Sequence, residues 1–188
     1  DHVSAHARVV EDGTALARRV TRGELSGTDD DVLADRYLAA DAALSAAGLQ
    51  WYEVSNWASS KQSRCQHNEL YWRSADWWGI GPGAHSHVGG IRWWNVKHPA
   101  AYAQRLAAGQ SPRHDGETID AATARVEQVM LEMRLRTGLG FDALSTDALA
   151  AVPDLLARGL LDRTEDRLVL TRSGRLLADA VVRELIDR

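Results

Sequence analysis

The sequence is short of several things, and each shortage narrows what the chain can be. Cys65 is the only cysteine among the 188 residues, which excludes an internal disulfide and fits a reducing compartment. Lys61 and Lys97 are the only lysines, so the positive charge is almost all arginine, which we read as genome bias. The formal net charge of -4 supplies no basic face for a polyanion. No apolar run approaches the roughly 18 residues of a membrane span, and no signal peptide is visible. A soluble, cytoplasmic protein that meets membranes only through partners is expected. The first residues, Asp1-His-Val-Ser-Ala5, lack an initiator Met and run straight into strand-like sequence, as a piece of a longer chain would. Tryptophan is missing after Trp94, since all seven lie between Trp51 and Trp94. That asymmetry implies two regions with different jobs.

Periodicity gives the elements. Residues 3–10 read as a strand, closed by a turn in which Gly13 tolerates positive φ and Asp12 can cap the next helix. That helix is short and is predicted over 15–22. After the acidic loop 26–31, Leu33, Tyr37, Ala40, Leu44 and Ala47 recur at helical spacing until Gly48. With a strand over 49–55, this makes a βαβ unit. From Trp57 to His98 periodicity fails, and loops with short strands at 77–80 and 91–94 are expected. Pro99 suits the first turn of a helix ending near Gly109. A longer helix over about 119–136 puts Ala122, Val126, Val129, Met130 and Met133 on one face, the methionines as core filler. Thr146 can cap a helix, Pro153 marks a second start, and Gly159 ends it. Residues 160–163 and 167–170 read as a hairpin, and Thr171 caps a closing helix with Leu177, Val181 and Leu185 inward. Helix, helix, hairpin, helix is a winged-helix pattern. Residues 141–188 carry seven Arg against nine Asp and Glu, a net of -2, so protein packing is favoured over DNA binding.

The chemistry-bearing residues concentrate between Cys65 and Asn95. In His67-Asn-Glu-Leu-Tyr-Trp72, an imidazole can be an axial ligand to haem iron, Tyr71 and Trp72 offer flat apolar surface, and Asn68 can orient the ring or bind a propionate. The plainer alternative is a histidine and an aromatic pair stabilising a loop. Gly79-x-Gly81-x-Gly83, followed by Ala84-His-Ser-His87, reads either as a ligand-facing strand end or as a tight turn. It is not a dinucleotide fingerprint, because no amphipathic helix follows. Cys65, His67, His85 and His87 have the ligand types for zinc but no Cys-x-x-Cys anchor. Ser86 beside His85 has no nucleophile elbow, and Glu11, Glu53 and Asp76 do not pair.

Several ordered motifs carry a family resemblance. His2-Val-Ser4 with Glu11-x-Gly-Thr14, Tyr52-Glu-Val-Ser-Asn-Trp-Ala58, His67-Asn-x-x-Tyr-Trp72, Gly79-Ile-Gly-Pro-Gly-Ala-His-Ser86 and Arg92-x-x-Asn95 resemble the HemW family, as do Arg125-x-Glu-x-x-Met-Leu-x-x-Arg134 and Leu170-Thr-x-x-Gly174. These are haem chaperones of the radical SAM superfamily, long labelled oxygen-independent coproporphyrinogen III oxidase-like. His6 departs from the pattern, where the family usually shows Tyr. The resemblance implies an α/β fold, the C-terminal part of a radical SAM partial (β/α) barrel over 1–97 followed by a mainly helical, winged-helix-like domain over 98–188. It implies haem binding by His67, Asn68, Tyr71 and Trp72, with His67 on the iron. Ser4, Gly79, Gly81, Gly83, Ala84 and His85 would lie near SAM or porphyrin. The three-cysteine loop for a 4Fe-4S cluster is absent from this chain, so cluster and SAM belong to the full-length protein. Expected partners are haem, haem-accepting respiratory proteins and a second copy in a homodimer, with no nucleic acid. The open barrel edge favours self-association. The alternative activity is oxidative decarboxylation of coproporphyrinogen III by a radical SAM enzyme.

Overall fold

The computed structural model describes residues 1–7 and 10–186. It forms two compact units, Asp1–Arg64 and Cys65–Arg188.

The first unit holds β1 (His2–Ser4), α1 (Ala15–Thr21), α2 (Asp30–Ala46), β2 (Gln50–Glu53) and β3 (Asn56–Ala58). Gly13 does take a positive φ of 78°, but Thr14 rather than Asp12 caps α1, its hydroxyl accepting from the Ala17 amide at 3.1 Å. Asp29 caps α2 through the Val32 amide at 3.0 Å, with Asp30 and Asp31 in the first turn where the helix dipole favours negative charge. Gly48, at φ 85°, ends α2 as expected. The amide of Leu49 reaches back to the Leu44 carbonyl at 3.0 Å, a Schellman closure.

The strands differ from a simple βαβ unit. The sheet order is β1-β3-β2 and both pairings are antiparallel. β1 and β2 therefore run the same way around two helices, but β3 lies between them, because the chain folds back after β2 at Val54 and Ser55. The first strand is also shorter than predicted. It ends at Ser4, and of the rest of the expected segment Arg8 and Val9 lie outside the described residues. Tyr52, Glu53, Asn56, Trp57 and Ala58 are all buried. Their polar atoms are matched in pairs: Trp57 Nε1 donates to the Asp41 carboxylate of α2 at 2.9 Å, Asn56 Nδ2 to Glu53 at 2.5 Å, and Ser4 bonds Asn56. Such matching is what a buried polar group requires.

The second unit holds α3 (Gln66–Trp72), β4 (His85–Val88), β5 (Ile91–Asn95), α4 (Pro99–Ala107), β6 (Arg113–Thr118), α5 (Ala121–Glu132), β7 (Leu139–Gly140), α6 (Thr146–Ala157), β8 (Leu161–Arg163), β9 (Arg167–Leu170), α7 (Arg172–Leu176) and α8 (Ala178–Ile186). Two antiparallel sheets, β4-β5-β6 and β7-β9-β8, organise it. Gly89 and Gly90, with φ of 59° and 76°, make the two-residue turn between β4 and β5 that a right-twisted hairpin favours. The expected domain boundary at 97/98 falls inside this unit, between β5 and α4, and the pairing of β6 with β5 ties residues on both sides of it.

Its core joins α5, α6, α8 and the second sheet: Val129, Met133, Leu139, Leu155, Leu161, Leu168, Val181 and Leu185 are buried together. Met133 is core filler as expected, whereas Met130 and Val126 are exposed. Ser145, not Thr146, caps α6, and Pro153 lies inside that helix instead of starting another. A proline there removes only one amide, and Pro153 is on the exposed side. Thr171 caps the following turn through the Gly174 amide at 2.9 Å. Val181 and Leu185 point inward, but Leu177 is exposed in the break between α7 and α8.

Candidate functional site

The His67 motif lies on a helix, α3, and not in a loop. That assignment explains its spacing. Positions 67, 68, 71 and 72 are neighbours at i, i+1, i+4 and i+5, which puts all four on one helical face, while Glu69 pairs with Arg73 at 3.6 Å. His67 is exposed, and Asn68, Tyr71 and Trp72 are half-buried. The Tyr71 hydroxyl and His67 Nε2 lie 2.9 Å apart, with the two rings edge to face at 4.7 Å. Tyr71 also packs against Trp77 in a T-shaped pair, ring centroids 4.7 Å apart. Cys65 occupies the N-cap position of α3.

Trp77 connects this face to the sheet. It is bridged to His87, with amide-to-carbonyl distances of 2.8 and 2.9 Å. The rest of the strand expected over 77–80 is loop. Directly opposed residues of an antiparallel pair share a face. The pairings His85 with Trp94 and His87 with Arg92 therefore put His85, His87, Arg92 and Trp94 on one side, and His85 stacks on Trp94 at 5.6 Å. Arg92 is clamped by Glu117 and Glu127, each at 2.8 Å. Its hydrogen bonds to Glu127 first and Glu117 second hold its guanidinium above the usual arginine range.

The glycine run is shaped by contacts of its own. A Cβ on Gly79 would sit 1.8 Å from the His85 carbonyl oxygen; Gly81 and Gly83 have φ of 112° and 68°, a region that favours glycine. Two buried side chains fix the loop. Ser86 accepts from the Gly79 amide at 2.9 Å, and Asn95 Nδ2 donates to the Gly79 and Gly81 carbonyls at 3.3 and 3.0 Å. Tyr102 accepts from the Gly81 amide at 3.2 Å. The amides of Gly83 and Ala84 go to Val96 and Gly81. The loop's main-chain groups are thus turned inward. Trp78 and Ile80 alternate with these glycines and are left 68% and 85% exposed.

Of the sequence candidates, His67, Asn68, Tyr71 and Trp72 share α3, while Gly79, Gly81, Gly83, Ala84 and His85 share the loop into β4. Ser4 belongs to the first unit. Cys65, His67, His85 and His87 do not gather: among the described residues no group of three or more His, Cys, Asp or Glu could hold a metal ion. Sequence reasoning missed Ser86, Asn95 and Tyr102 as the side chains that fix the loop. The only signal for Ser86 and Asn95 was the placement of small or amide-bearing polar residues inside strands; Tyr102, on α4, gave none.

The HemN C-terminal domain model matches residues 119–177. The haem chaperone HemW of Mycobacterium tuberculosis is 56% identical over 186 residues, 99% of this chain and 47% of that protein. The chain belongs to the HemW family. A more distant member, the haem chaperone HemW of Bacillus subtilis, is 28% identical over 96% of this chain and 50% of its own length, so the chain spans about half of the HemW relatives it matches. Among solved structures, the coproporphyrinogen III oxidase HemN of Escherichia coli, a radical SAM enzyme, superposes with a TM-score of 0.60 at 19% identity, over 79% of this chain and 39% of that one. That likeness is one of fold.

Proposed function

We propose that this chain is the haem-holding part of a haem chaperone, with haem as cargo and His67 as the iron ligand. The observation that carries the reading is the α3 face: an exposed imidazole beside Asn68, Tyr71 and Trp72 at helical spacing, with Trp77 extending the aromatic surface. Imidazole supplies an axial donor, and the aromatic rings supply apolar area for a macrocycle. The names of the relatives support the same cargo. Haem-accepting respiratory proteins are the proposed recipients.

A 4Fe-4S cluster bound by a three-cysteine loop does not fit a chain with one cysteine. We assign Gly79, Gly81, Gly83, Ala84 and His85 to shaping the edge of a SAM or porphyrin pocket, with His85 as the member that has a side chain to offer; Ser4 keeps the weaker assignment that its motif implies. The finer fold reading is that residues 1–97 end a radical SAM barrel and that α5, α6 and α8 with β7-β9-β8 make a winged-helix-like module for protein packing. The sheet order and the acidic charge support this module.

The test is anaerobic incubation of the full-length protein with either haem or coproporphyrinogen III in the presence of SAM. Haem retained on the protein and passed to an apo-acceptor, with no vinyl product from coproporphyrinogen III, is expected. Conversion of coproporphyrinogen III to protoporphyrinogen IX would replace the chaperone reading with the oxidase one.

A further inference from the structure

Tyr71 is held from both sides. One side of the phenol meets Trp77, whose main chain is bonded in both directions to His87; the other reaches His67 Nε2 at 2.9 Å. The hydroxyl therefore stays on Nε2 without depending on His67 to place it. Nε2 is also the nitrogen that matters for a large planar ligand. Nδ1 of a helical histidine lies next to its own backbone, whereas Nε2 is the outer atom that a porphyrin plane can approach. In the tautomer able to bind a metal through Nε2, that nitrogen carries no proton, and the phenol is then the donor.

We propose that Tyr71 is a latch on His67: its hydroxyl occupies the nitrogen that haem iron would take, so capture requires the phenol to yield and release is completed by its return. The latch rests on His67 being the ligand. A chaperone must give up its cargo, and an internal competitor within one helical turn lowers affinity without removing the ligand. The competitor is an exposed neutral hydrogen bond, so its removal is worth roughly two- to tenfold in affinity after exchange with water.

Two measurements on the full chain test this. In haemin titrations followed at the Soret band, Tyr71→Phe, which keeps the ring against Trp77, is expected to bind two- to tenfold tighter than wild type with the same band position, while His67→Ala loses the band. Equal or weaker binding by Tyr71→Phe overturns the latch, and loss of binding in His67→Ala then leaves the ligand assignment standing. A His67→Ala protein that binds like wild type overturns both. The second measurement needs no variant: diethyl pyrocarbonate modification of the haem-free chain, read by peptide mass spectrometry. His67 should react more slowly than His98 and His114, which are likewise exposed, because its Nε2 is engaged. A rate equal to theirs overturns the latch.

Discussion

Ser86 is fully buried and spends its hydroxyl on one amide, that of Gly79. Ser86→Ala would leave that amide buried without a partner, at a cost of about 1–3 kcal/mol. Urea denaturation should show the loss, and an unchanged midpoint would mean that water replaces the hydroxyl. In the sequence Ser86 is legible only as a failed nucleophile beside His85, because a single serine carries no mark of the amide it accepts from. The glycines show the same limit. Three in a short run signal an unusual backbone, but only coordinates separate Gly79, which lacks room for a Cβ, from Gly83, which needs its φ. His67 and its three companions were legible as a motif; the hydrogen bond between His67 and Tyr71 was not, because it depends on their lying on a helix.

At the scale of elements, long periodic segments were readable and short ones were not. α2 and α5 announce themselves through spacing, and the structure adds their caps at Asp29 and Asp120. α3 has seven residues, too few turns for a period to emerge, and starts on a cysteine, which is a poor cap. β6 reads Arg-His-Asp-Gly-Glu-Thr with no buried position, so no alternation marks it as a strand. Caps also make a prediction about pH. The Thr123 amide, bonded to the Asp120 carboxylate at 2.7 Å, is the largest cause holding that group below the usual aspartate range. A carboxylate whose pKa is lower folded than unfolded adds stability above its unfolded value, and the contribution disappears as pH falls through the folded one. The difference in thermal midpoint between wild type and Asp120→Ala should therefore be constant from neutral pH down to about pH 5 and shrink below about pH 4. A difference independent of pH through that window would exclude the charge as its source.

For the whole molecule, the α/β class was legible; the two compact units, Asp1–Arg64 and Cys65–Arg188, divide inside the tryptophan-bearing stretch and so were not marked by it. The pairing of β6 with β5 crosses the stretch where composition changes, so a change of composition there does not separate two folded parts. The second unit has a contiguous core with Leu139, Leu155, Leu168 and Val181 fully enclosed. Residues 65–188 expressed alone are therefore expected to unfold in one cooperative transition; a broad, non-cooperative loss of circular dichroism would show that this core needs residues outside it. Among the described residues no helix is long and apolar enough to cross a membrane.

In the proposed function, the α3 face holds haem through His67. A visible-absorption titration of the chain with haemin, run beside His67→Ala, tests it most directly. A Soret shift that saturates near one equivalent in the wild type and is lost in the variant is expected. Equal binding by the two proteins, or no shift in the wild type, would contradict it.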